Sequence, residues 1–157
     1  MSTKILDEKA VSRYVFDDYL PAVVTINDSP DYVNFVAYYR GNTDIVELQT
    51  IPSTKAVCQV TLTACAHVSI STEHMLLPEA AAGLLSVDLP RDTVNDTLNV
   101  TIYSDGIEIQ LSSKIPFAYV QCDNVIFGIS AEDDVTSVLL ANLNEGEVSH
   151  TKELLLE

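Results

Sequence analysis

Cys65 and His67 stand two residues apart in an alternating run, so a strand through them projects both from one face. Thiolate and imidazole are donors that zinc takes, and His74 or Cys122 would extend the set if the fold brought them together. A closed zinc site needs four ligands, normally drawn from tight sequence pairs, and this chain offers only a loose one. The competing reading is a half-buried strand in which the cysteine packs as a small hydrophobe and the histidine bonds a neighbouring carbonyl. A catalytic Cys-His pair is no better founded, because neither Cys65 nor Cys122 lies near a basic residue that would lower its pKa.

Glu132, Asp133 and Asp134 form the other concentrated set, a carboxylate cluster of the kind a hard cation such as Mg²⁺ or Ca²⁺ takes. The same acids fit the first turn of a helix, where the dipole favours negative charge, and that local reading is preferred. Ser130 and Asp133 have the spacing of a capping box with Asp in place of Glu, which predicts a helix over 130–143 ended by Asn144 and Gly146. No Lys or Arg falls between Lys114 and Lys152, whereas Asp123, Glu132, Asp133, Asp134, Glu145 and Glu147 do. If that region is exposed, Glu132, Asp133, Asp134, Glu145 and Glu147 make a concentrated negative face suited to a basic protein partner.

Other chemistry is missing from the sequence. The five glycines stand alone, so neither a Walker A loop nor a G-x-G-x-x-G loop can be written onto the chain. No G-x-S-x-G elbow, H-E-x-x-H or C-x-x-C pair occurs either. No catalytic residue and no cofactor is assigned.

Composition bounds the class. With 157 residues and 47% apolar content, the chain reads as a single domain over 1–157, with 147–157 a tail or partner-binding segment. Eight Lys and Arg against 23 Asp and Glu leave a formal charge of −15, which argues against direct nucleic acid binding. The three cysteines are an odd number without close pairs, and the N-terminal residues lack a signal-like apolar core, so a reducing, cytoplasmic setting is expected. The longest uncharged run, 56–72, alternates with polar residues and reads as a strand, so no membrane span is expected.

These residues must be positioned by a β-rich scaffold. Asp7 and the stripe Val11, Tyr14, Val15 predict a helix over 7–19, with Asp17 and Asp18 in its last turn and Pro21 as its stop. From Ala22 the period changes to two, giving strands over 22–26, 32–39, 44–51 and 56–71 with a turn over 27–31; the last run is long enough to require a bend. An alanine-rich stretch predicts a short helix over 78–85, followed by a loop over 90–96. Asp105-Gly106 predicts a hairpin with a type I′ turn that sets Ile102 opposite Ile109 and Val100 opposite Leu111, with Thr101, Tyr103, Glu108 and Gln110 on the polar face. Two more strands follow over 115–121 and 124–129, and the residues after Gly146 suggest a weak terminal helix. The expected class is α+β, mostly β: a largely antiparallel sheet of about seven or eight strands with an N-terminal, a short mid-chain and a C-terminal helix.

Three functions fit this reading. The first is a non-enzymatic acidic interaction or assembly protein, a homo-oligomer or subunit of a larger complex, with Tyr32, Phe35, Tyr38 and Tyr39 as interface candidates. The second is an acidic inhibitor that blocks a nucleic-acid-binding enzyme by presenting a negative surface. The third is a metal-binding protein or enzyme built on Cys65, His67 and the 132–134 acids.

Overall fold

A computed structural model describes residues 3–27, 30–88, 93–94 and 97–156. In chain order the strands are β1 (Thr3–Leu6), β2 (Ser12–Val15), β3 (Ala22–Ile26), β4 (Asn34–Arg40), β5 (Asp44–Thr50), β6 (Val57–Ala64) and β7 (Val68–Ile70). They continue as β8 (Ala81–Ala82), β9 (Leu84–Val87), β10 (Thr93–Val94), β11 (Asn99–Ile102), β12 (Ile107–Gln110), β13 (Pro116–Cys122), β14 (Val125–Ser130) and β15 (Val135–Leu140). The one helix among the described residues is α1 (Glu145–Leu155). None of these elements is a helix long and apolar enough to cross a membrane.

Two large sheets and a small one result. The six-stranded sheet has the order β10-β4-β5-β6-β3-β2, the seven-stranded sheet β7-β11-β12-β15-β14-β13-β8, and β1 pairs with β9. Pairing is antiparallel except at β10–β4, β7–β11 and β8–β13. Alternation aims Val46 and Leu48 of β5, Val60 and Leu62 of β6, and Val24 and Ile26 of β3 to one side, where they meet Val100, Ile102, Ile107, Ile109, Phe127 and Val138 of the other sheet in a single core. Burying each such side chain contributes about 1.5–3 kcal/mol, which is what holds two sheets face to face.

The mostly β, largely antiparallel class holds and strands form at all eight expected places, but the single expected sheet of about seven or eight strands is divided into two large sheets and a small one. Of the expected helices only the weak terminal one forms. Over 7–19 the chain builds β2, which pairs with β3 so that Tyr14 lies opposite Val24. Valine and the aromatics are weak helix formers that fit a pleated surface, and the flank of β3 offers them one. Asp17 accepts from the amides of Tyr19 and Leu20 at 2.8 and 3.0 Å, closing a turn instead of opposing a helix dipole.

The stretch 78–85 is likewise extended. β8 pairs with β13 of the seven-stranded sheet, and Ser86 of β9 bridges to Ala56 at the entrance to β6, so this segment straps the two large sheets together. Gly83 makes the strap possible: it adopts φ +150°, and a Cβ there would lie 2.6 Å from the Leu6 carbonyl oxygen.

Over 130–143 the expected helix is replaced by β15, flanked by β12 and β14 and buried at all six positions. A strand covered on both faces loses its polar alternation, which removes the sign that separates it from a helix. Ser130 still caps, but its hydroxyl accepts from the Glu132 and Asp134 amides at 3.2 Å each to form a turn, with Asp133 left-handed at φ 69°. The weak terminal helix does form. Asn144, expected as a helix end, begins it: its side chain accepts from the Glu147 amide at 2.8 Å, and Glu147 accepts from the Asn144 amide at 3.0 Å.

In the hairpin β11–β12, Ile102 faces Ile107 and Val100 faces Ile109. The bend falls on Ser104 and Asp105, closed by the Tyr103 amide donating to the Gly106 carbonyl, and neither Asp105 nor Gly106 has the positive φ of a type I′ turn. This register differs from the expected one by two residues, which preserves the faces, so Val100, Ile102, Ile107, Ile109 and Leu111 are all buried. The long run 56–71 breaks as expected, and the break carries the chain from one large sheet (β6) to the other (β7). The turn over 27–31 and the loop over 90–96 lie partly outside the described residues.

Candidate functional site

The break between β6 and β7 separates the two residues that sequence spacing placed together. Cys65 turns inward, its thiol donating to the carbonyls of His67 and Leu98 at 3.4 and 3.8 Å. The His67 ring turns the other way and sets Nδ1 2.7 Å from Oδ2 of Asp44. Asp44, at the start of β5, has a side chain 0% exposed beside an imidazole that is 43% exposed. Its other oxygen accepts from the Ala66 amide at 2.7 Å, so one carboxylate ties both ends of the break to the neighbouring strand.

The electrostatics follow from this packing. Burial pushes the Asp44 carboxyl up, but the Ala66 amide, the His67 ring and the Thr43 hydroxyl more than reverse it and leave the group below its ordinary range. Nδ1 facing an ionised carboxylate carries the hydrogen and donates it. A carboxylate that orients an imidazole is also the orienting half of a hydrolytic triad, yet no hydroxyl or thiol among the described residues hydrogen-bonds the other ring nitrogen. Burial pushes the Cys65 thiol up to about 11, so it stays protonated at neutral pH and is no thiolate nucleophile. His74 is engaged with Asp105, and Cys122 lies in the core. Among the described residues no group of three or more His, Cys, Asp and Glu side chains is placed to hold a metal ion.

The acidic residues are distributed between local structure and solvent. Asp133 accepts from the Thr3 amide and hydroxyl at 3.3 and 2.6 Å, and Asp134 pairs with Lys114. Glu147 completes the cap of α1. Glu132 and Glu145 remain exposed. Three of the five carboxylates expected to form an acidic face are therefore engaged by a contact to Thr3, an ion pair and a helix cap.

Two clefts are lined by residues with more interaction chemistry. Tyr32 and Phe35, 73% and 63% exposed at the start of β4, border a cleft of about 400 Å³ with Lys55 and Asp88 on its rim. Tyr38, by contrast, is buried. The second cleft, about 370 Å³, lies on the outer face of the seven-stranded sheet under the segment 73–78. Met75 packs there with Ile126, Leu139 and Ala141, and Tyr103 and Tyr119 lean against them. Asp105 anchors the segment by accepting from the Met75 amide at 2.8 Å and facing the His74 ring at 3.1 Å. Tyr103 and Glu108 were visible on the polar face of the hairpin; that residues 73–78 fold over them has no local signal.

Comparison of the chain with protein-family models and with curated proteins finds no match.

Proposed function

We propose that this chain is a non-enzymatic interaction or assembly protein that acts through its surface in the cytoplasm, as a homo-oligomer or as a subunit of a larger complex. One observation carries the reading: Tyr32 and Phe35, large amphipathic and apolar side chains, stand 73% and 63% exposed side by side with an open cleft. Aromatic residues of this kind are enriched at interfaces, and leaving two of them in water costs the isolated chain what an interface would recover. The three buried thiols suit a reducing compartment. The inhibitor reading is weaker, because a phosphate mimic needs rows of exposed carboxylates and Asp133, Asp134 and Glu147 are committed locally.

Sedimentation equilibrium at micromolar concentration tests the homo-oligomer. The expected mass is a multiple of the 17.2 kDa chain, reduced by Tyr32→Ser and Phe35→Ser together. A single-chain mass throughout, with the double variant behaving identically, removes the homo-oligomer.

A further inference from the structure

We infer that the cleft on the outer face of the seven-stranded sheet receives a guanidinium or ammonium side chain, arginine before lysine, presented by a basic partner protein. The site deepens the interaction reading and rests on it. Its floor is apolar, made by Met75 and Leu139, and suits the aliphatic stem of a long cationic side chain. Its walls include the rings of Tyr103 and Tyr119, whose faces attract a cation within about 6 Å. Glu73 and Glu108 supply the negative charge.

Charge complementarity selects the occupant. No Lys or Arg lines the cleft, and the single imidazole there, His74, faces Asp105. Neither Glu73 nor Glu108 has an ion-pair partner among the described residues. Glu108 only accepts a long 3.4 Å bond from the Tyr103 hydroxyl. Both acids bear on that phenol: burial, then Glu108 and Glu73, raise the Tyr103 pKa. Leu76, 90% exposed, and Leu77 flank the opening and give apolar area that a single ion would not need but a polypeptide would cover. Arginine is preferred because its planar guanidinium can stack on a tyrosine while bonding a carboxylate with two nitrogens.

Titration with Nα-acetyl-arginine amide, followed by the aromatic and methyl NMR signals of the intact chain, tests the site. Saturable shifts are expected at Tyr103, Tyr119 and Met75, absent with the neutral isostere Nα-acetyl-citrulline amide. Glu108→Gln should weaken binding roughly tenfold and Glu73→Gln by a smaller factor, while Glu132→Gln, outside the cleft, leaves it unchanged. No shifts with the arginine compound, equal shifts with citrulline, or equal loss in Glu132→Gln overturns the proposal. A chain that stays monomeric and binds no protein yet shows these shifts keeps a cation site but removes the partner protein together with the assembly reading; an assembling chain without them sinks the cleft alone.

Discussion

A carboxylate withdrawn from water keeps its charge only where hydrogen-bond donors converge on it, and at Asp44 they do: the Ala66 amide, the His67 ring and the Thr43 hydroxyl. Because its folded pKa lies below the unfolded value of about 3.9, its contribution to stability is complete above that value and is lost as pH falls through the folded one. Asp44→Asn should cost about 2 kcal/mol at neutral pH, the worth of hydrogen bonds to a charged group, and should flatten the acid limb of the stability curve. Denaturant midpoints measured from neutral pH down through the carboxylate range decide it; parallel curves for the two proteins would refute this role. The sequence made His67 legible as a residue with a strand-face neighbour, but its partner lies 23 positions upstream. Spacing finds neighbours along one strand, and a partner on the adjacent strand has no spacing to find.

At the level of elements, alternation and turn residues were enough for β3 to β6 and β11 to β13, and β14, although buried at all six positions, was marked by the turn before it and its β-branched and aromatic run. They failed over β15, which is covered on both faces and follows residues with the spacing of a capping box, and where a glycine stands for a close approach and not for a helix interrupted. Gly83 and Gly41 separate the two uses of the residue. Both have positive φ, but a Cβ at Gly41 meets nothing within 4 Å, whereas at Gly83 it meets the Leu6 carbonyl oxygen at 2.6 Å and Ile5 Cγ2 at 2.7 Å. Gly41→Ala should cost about 1 kcal/mol for the left-handed backbone alone. Gly83→Ala should cost about 2–3 kcal/mol, because the strap between the sheets must also move away from β1. Thermal unfolding of the two variants measures the difference, and equal losses would mean that the strap is not tightly held.

For the whole molecule, the mostly β, largely antiparallel class was within reach of the sequence but the division into two large sheets and their routing was not, since register and crossing are fixed by contacts between distant residues. The acidic composition foresaw the charge and not its use, because caps, ion pairs and tertiary hydrogen bonds claim carboxylates one at a time. Among those distant contacts, the hydroxyl of Tyr14 on β2 meets Thr151 of α1 at 3.0 Å across 137 positions, and both bond the Pro21 carbonyl. Val148 of the same helix belongs to the core. A growing chain can pair β2 with β3 early, but it completes the packing of Tyr14 only after α1 has been synthesised and freed, and closing so long a loop is slow. During that interval the core lacks Val148 and the Tyr14 hydroxyl lacks Thr151, so the nascent chain leaves more apolar surface uncovered than the finished one. A chain stopped at residue 143 holds that interval open: protease should cut it within the first 21 residues, where the full chain resists, and equal resistance would show that the N-terminal strands close without their last partner.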